Sequence, residues 1–364
     1  MARPALPPAL ERAVALHREA GSAGAAEARA LLGGYLADLG YDVETFRFLF
    51  APAALNAFPL AGAGLGWLTI LEIPLLLMPA VPPWAALLVW AVGLAGIVAL
   101  AAGTGLGWGP RSEGREDATL IARRGPGRVR RWIVAHVDTK AQGHSMAGRL
   151  VAVWLCILAA AALSILAVAR LGGVPAPGAV AGAAGASLAA GVLASRGRLR
   201  GTTQGALDNG SGLVAALTAA ALTKDPATGF LLTGAEEFGL VGARVLAARR
   251  RELIEGTTVI NVDTLDERGA LSIVTHDARG RELAEGLVSR IGMAGVPTRI
   301  RRLPLGIFVD SYPLARAGAA AVTIGRLDWG TLRRLHTPAD ALEGVEFATA
   351  LGIGRALGAL EPAG

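Results

Sequence analysis

Cysteine is almost absent from this 364-residue chain: Cys156 stands alone, inside an apolar run. That excludes an internal disulfide and a thiolate metal cluster, and it leaves the redox compartment open. Charge is scarce as well. Charged residues make up 18% against 53% hydrophobic, whereas a soluble domain carries about 25% charged residues, so part of the chain belongs in lipid. From Leu49 to Pro110 the only ionisable residue is Glu72. The basic residues are almost all arginine, dispersed along the chain and without aromatic interleaving or a nucleic-acid motif. The net charge of +6 therefore reads as an arginine-rich composition with cationic loops beside an anionic bilayer, and no nucleic-acid partner is expected. No charged segment followed by an apolar core opens the chain, so no signal peptide is expected either.

What is present is sharply zoned. Within 49–105, Pro82-Pro83 separates two apolar runs, 57–80 and 83–105. Each reaches the length of about 20 residues that a bilayer-spanning helix needs, so the segment reads as a transmembrane hairpin. A second hairpin occupies 150–195: Leu150 to Ala169, a turn with Arg170, Gly172, Gly173, Pro175 and Pro177, then a Gly/Ala-rich run at 178–195. Small residues of this kind favour close helix packing, which points to a compact four-helix bundle. Because both insertions are hairpins, every soluble piece returns to one side. Nine Lys/Arg lie in 111–149 and Arg196, Arg198 and Arg200 follow the last span, while the hairpin tips carry at most Arg170. The positive-inside rule places the soluble domain in the cytoplasm, although charge on a large folded domain weakens that rule. Glu72 keeps two readings: a functional intramembrane carboxylate, or one that simply faces the bundle interior or an interface.

With the hairpins set aside, residues 1–48, 106–149 and 196–364 form one α/β domain. Strand-like runs at 41–48, 118–123, 131–135, 229–233, 257–262, 271–275 and 320–324 alternate with helical stretches at 212–222, 242–251 and 282–291. Two helical patterns, near residues 10–17 and 26–39, precede them. This alternation predicts a mixed, mostly parallel sheet covered on both faces. No internal repeat is visible.

Polar groups stand at or just past the ends of those strands, where open α/β sheets place their sites. They are His136-Val-Asp138, Asp208-Asn209-Gly-Ser211-Gly212, Glu236-Glu237-Phe-Gly239, Asn261-Val-Asp263 and His336-Thr337-Pro338-Ala-Asp340. Each alone has an ordinary explanation: a helix cap for Asp208 or Asn209, solvated loop charges for Glu236-Glu237, a surface histidine for His336. His17, His144 and His276 fall in that ordinary class. Together the five motifs offer two imidazoles and three carboxylates with one carboxylate to spare. Mixed N/O ligands without thiolate suit a catalytic zinc site.

In order and spacing, these motifs resemble the dinuclear-zinc exopeptidases that include bacterial leucine aminopeptidases, aminopeptidase S and glutaminyl cyclase. The likeness runs through about 118–345, the second hairpin excepted. It implies a three-layer domain around a mixed sheet and two Zn2+ ions, with Co2+ or Mn2+ able to occupy the same ligands. Asp208 would bridge the metals, His136 and Asp263 would complete one site, and Glu237 and His336 the other. Glu236 would be the general base and Asp138 would orient His136. Asp310-Ser311 loosely matches the family's loop beside the substrate pocket. The expected activity is removal of N-terminal residues from peptides; the rivals are cyclisation of N-terminal glutamine, other amide hydrolysis, and a catalytically silent membrane scaffold. The inserted hairpins depart from the family. His136 and Asp208 are 72 residues apart, and 26 remain once 150–195 is removed. Both insertions are expected to leave the sheet at the edge that carries the site, which would set that site beside the bilayer. The side-chain preference and the oligomeric state leave no trace in the sequence.

Overall fold

A computed structural model describes residues 4–105, 114–293, 296–303 and 306–362. The chain folds as two compact units, one of Met1–Phe50, Gly114–Ala141 and Gly201–Gly364, the other of Ala51–Glu113 and Gln142–Arg200.

The first unit is built on eight strands: β1 (Asp42–Phe50), β2 (Arg115–Arg123), β3 (Arg131–His136), β4 (Thr228–Thr233), β5 (Thr258–Leu265), β6 (Ala270–Thr275), β7 (Thr298–Arg302) and β8 (Ala320–Leu327). Their order across the sheet is β1-β2-β4-β3-β5-β8-β6-β7. The centre, β4-β3-β5-β8, is parallel, while β2 pairs antiparallel with both β1 and β4, and β6 antiparallel with β8. The expected mixed, mostly parallel sheet is therefore present. Its central strands are buried along almost their whole length, which explains their unbroken apolar runs.

Helices cover both faces. On one, Ala243, Leu246, Ile254 and Leu314 pack over Ile121, Trp132, Val134, Leu231 and Val259. Trp132 is fully buried, and its indole N–H donates to the carbonyl of Leu253 at 2.7 Å. Gly212–Leu222, expected as a helix from its apolar run, contacts β3 and β5 and supports the helix Ala348–Gly358. Elements that the sequence patterns do not predict include β7 and the helices Arg251–Ile254, Ser311–Arg316, Trp329–Arg334 and Ala348–Gly358. β7 reads Thr-Arg-Ile-Arg-Arg, with no apolar run to mark it, and lies at the edge of the sheet, where charge guards against strand addition.

The second unit holds four helices long and apolar enough to cross a membrane: Ala57–Leu77, Pro83–Gly105, Met146–Ala169 and Pro177–Ser195. The first and last pack through small residues. A Cβ on Gly191 would come within 2.7 Å of the Gly62 carbonyl, so glycine is required for that approach. Sparse polar links cross the unit: Thr69 to Ser187 at 2.7 Å, the Trp90 indole to Ser164 at 2.8 Å, and the Arg170 guanidinium to the carbonyls of Met78 and Val81. Glu72 is fully buried, and neither of its oxygens meets a hydrogen-bond partner. The unit also takes in the flanks 142–149 and 196–200. Gln142 bridges Leu199, and its amide donates to the Gly197 carbonyl.

Candidate metal centre

The parallel register carries three motifs to one edge of the sheet. His136 is the last residue of β3 and pairs with Thr233, the last of β4, from which the chain turns into Glu236-Glu237. Asp263 stands in β5 beyond its regular pairing, where the register with β8 shifts between Val262 and Leu265. The other two motifs arrive from outside the ladder, Asp208 from the turn before the helix Gly212–Leu222 and His336 from the turn after Trp329–Arg334.

Long-range hydrogen bonds hold these turns in place. Asp340 accepts from the backbone N–H groups of Leu207 and Asp208 at 2.7 and 3.1 Å. Asn209 accepts from the N–H of Gly212 and Thr264 and donates to the Val262 carbonyl, and Ser211 donates to the Leu207 carbonyl and accepts from Leu265. The motif neighbours of Asp208 thus tie its turn to the end of β5. Gly205 opens that turn at φ +55°, and a Cβ there would meet the Asp208 carbonyl oxygen at 2.2 Å. The site is also locally strained. Ala235, Thr264 and His336 adopt left-handed backbone at φ 50°, 54° and 63°. Such conformations cost of order 1–3 kcal/mol each and persist where surrounding structure imposes them.

Two donor triads result, sharing one residue. His136, Asp208 and Asp263 form one and Asp208, Glu237 and His336 the other, with the ligand atoms of each triad within 4.8 Å of one another. The shared carboxylate is divided between them. Its Oδ1 lies 3.2 Å from His136 Nε2, which is also 3.9 Å from Asp263. Its Oδ2 lies 3.3 Å from His336 Nε2, which is 3.2 Å from Glu237 Oε1. Glu237 Oε1 and both His336 ring nitrogens are buried without a hydrogen-bond partner. Unpaired buried polar atoms are costly. Glu237 Oε1 and His336 Nε2 face each other beside the shared Asp208 carboxylate, and this donor set fits a divalent cation such as zinc.

The electrostatics agree. Burial lifts the Glu236 carboxyl well above its usual range; His136 opposes this, while Glu237, Asp310 and Asp263 push it further. Burial works against protonation of both imidazoles. It is outweighed by Glu236, Asp208 and Asp263 around His136, and by Glu237 and Asp208 around His336. This pocket has more buried negative charge than its own cations neutralise.

Asp138 departs from expectation. The His136 Nδ1 hydrogen bond goes to the backbone carbonyl of Asp138 at 3.0 Å, and the Asp138 carboxylate is 3.8 Å from that nitrogen. Its two oxygens accept instead from the N–H groups of Glu236 and Glu237, at 3.0 and 3.1 Å. Asp138 therefore fixes the turn that presents both glutamates. Asp310 is fully buried and accepts from Thr233, while Ser311 hydrogen-bonds His276 and Thr323. His17, His144 and His276 all lie outside the triads.

Two supporting residues escaped the sequence. Arg18, fully buried, donates to the carbonyls of Ala13, Val14, Leu16, Val137, Gln204 and Gly205, tying the N-terminal segment to the loops that carry Asp138 and Asp208. Burial pulls its guanidinium down to about 10. No local pattern marks it, since its partners lie up to 187 positions away. Lys140 donates to Glu237 Oε2 at 2.6 Å. Its signal was rarity, as one of two lysines among 35 basic residues. A cavity of about 810 Å³ lined by Arg128, Arg131, Thr258, Arg279 and Arg290 opens at the other end of the parallel strands, away from these residues.

A mostly parallel sheet that gathers imidazoles and carboxylates at neighbouring strand ends defines an α/β metallohydrolase. The chain belongs to peptidase family M28, whose family model matches residues 177–360, and it is accordingly a hydrolase of the zinc metallopeptidase class. The matched stretch contains Asp208, Glu236, Glu237, Asp263 and His336, whereas His136 and Asp138 precede it. Among solved structures the chain is similar to an aminopeptidase from Aneurinibacillus sp. strain AM-1 (15% identity, 96% of this chain and 90% of that one, TM-score 0.54). It is also similar to BSAP, a zinc aminopeptidase from Bacillus subtilis (16% identity, 96% and 93%, TM-score 0.54). A third is a glutaminyl cyclase from Fimbriiglobus ruber (15% identity, 98% of both chains, TM-score 0.55). At such identities the likeness speaks for the fold. No curated protein matches the sequence at a significant level.

Proposed function

We propose that this chain is a membrane-anchored aminopeptidase in which two zinc ions share Asp208, His136 and Asp263 completing one site and Glu237 and His336 the other. The observation that supports it best is the division of the Asp208 carboxylate, one oxygen toward each triad. Zinc, when bound, polarises the peptide carbonyl and lowers the pKa of water to about 7. Glu236, buried beside both triads, would take the proton of the attacking water and hand it to the departing amine. Asp138 keeps Glu236 and Glu237 aimed through their backbone N–H groups. Co2+ or Mn2+ can occupy the same donors. The choice of aminopeptidase follows the family and the stated activity of two structural neighbours.

The four apolar helices cross a membrane as two hairpins among lipids, with the basic stretches 111–149 and 196–200 on the cytoplasmic side.

The test uses the full chain in detergent, assayed for metal content and for turnover of aminoacyl, acylated-peptide and N-terminal glutaminyl substrates. Aminoacyl cleavage that is lost on chelation and restored by zinc is the expected outcome. Glutaminyl cyclisation without chain cleavage would assign a cyclase instead, and a metal-loaded chain inert to all three would assign a silent scaffold.

A further inference from the structure

Lys140 stands four residues beyond His136. It is buried, and its ammonium reaches both the side-chain Oε2 and the backbone carbonyl of Glu237, at 2.6 and 3.4 Å. The two oxygens of Glu237 are thereby separated. Oε1 faces His336 and has no hydrogen-bond partner, whereas Oε2 belongs to Lys140. Arginine supplies nearly all of this chain's positive charge, yet a lysine occupies this position. An ammonium is a compact point charge on a slender stem and engages one oxygen, while a guanidinium fork favours both oxygens of a carboxylate.

Among the described residues no such ammonium pairs with a carboxylate of the neighbouring triad: His136 lies 3.2 and 3.9 Å from Asp208 and Asp263, whereas Glu237, which faces His336 at 3.2 Å, is also held by the Lys140 ammonium at 2.6 Å. Arg18 acts on Asp208, which both triads share.

We infer that Lys140 is a positioning residue that limits Glu237 to offering one oxygen to a cation, and that its charge makes the site of Asp208, Glu237 and His336 the weaker of the two. This rests on the two-cation reading above. The direction follows from magnitudes. Repulsion between the Lys140 ammonium, 2.6 Å from one oxygen of Glu237, and a divalent cation held by the other oxygen would exceed the cost of leaving one carboxylate rotamer free.

The experiment is a zinc titration of the chelator-stripped full chain in detergent against a colorimetric competitor, with X-ray absorption to count the atoms around zinc. The wild type is expected to fill two sites of unequal affinity, differing by at least about a hundredfold. In Lys140→Met the weaker site tightens by about tenfold or more, the stronger stays within about threefold, and the average zinc shell gains oxygen. Lys140→Gln, which keeps an N–H donor without the charge, tightens the weaker site without added oxygen and stands in should the methionine variant not fold. Lys140→Arg keeps the inequality. Equal affinities in the wild type, or neutral variants whose weaker site is unchanged or looser, would overturn the role of Lys140 while leaving two-zinc binding intact. A wild type that binds fewer than two zinc ions would remove both readings at once.

Discussion

In the eight-stranded unit, buried polar groups stitch together segments far apart in sequence. Arg18 reaches six carbonyls, and Asp138, Asn209, Ser211 and Asp340 each pin a turn that carries a metal-ligand candidate. In the four-helix unit, the polar links are few and helix approach depends on the absence of side chains at Gly62 and Gly191. Both units draw on an Ala/Leu/Gly-rich apolar vocabulary, but charge is scarce in the helical one. They also differ in where backbone groups find partners. A helix satisfies its own backbone, as a hydrocarbon environment demands. Turns at the end of a sheet cannot do so, and buried side chains complete them.

The contrast can be broken from the sheet side first. Glu236→Gln keeps the shape of the turn and removes the proposed proton carrier. Turnover should fall by about 10²–10⁴-fold, while zinc content measured by atomic emission stays at the wild-type level. Arg18→Met should be the most damaging change outside the triads. It removes the side-chain donor from six carbonyls, of which Ala13 and Gly205 keep a backbone N–H, and each buried acceptor left unpaired costs about 1–3 kcal/mol, read as a lowered denaturation midpoint together with lost zinc. Asp340→Ala frees the Leu207 and Asp208 N–H groups and should cost about 1–3 kcal/mol, with zinc affinity falling because Asp208 is no longer held. On the helical side the effects are smaller. Thr69→Val removes the link to Ser187, and interhelical hydrogen bonds in membranes average about 0.6 kcal/mol. A thermal shift within error of the wild type, with full zinc content, is the expected result. If Thr69→Val unfolded the protein while Arg18→Met did not, the contrast between the units would be inverted.

Much of this was readable in the sequence because the chemistry sits at transitions. His136, Glu236-Glu237 and Asp263 each follow or end an apolar strand, so the period-two pattern and the polar residue announce each other. The four long apolar helices were legible for a similar reason, since one ionisable residue between Leu49 and Pro110 leaves little else to build there. Support for the site was less visible. Arg18 acts through tertiary contacts that no local window contains. Asp138, two residues from His136, invited the assumption that it orients the ring, but the pairing of β3 with β4 puts its carboxylate under the Glu236-Glu237 turn. Trp329–Arg334 did carry a local signal, the capping box of Asp328 and Thr331. β7 had none, because an edge strand of arginines buries too little to look like a strand.

The central claim is that one carboxylate serves two cations, and zinc stoichiometry across four proteins tests it most directly. Wild type should bind two zinc ions per chain, Asp263→Ala and Glu237→Ala about one each, and Asp208→Ala fewer than either single-site variant. An Asp208→Ala protein that is folded and still holds two ions would contradict the account.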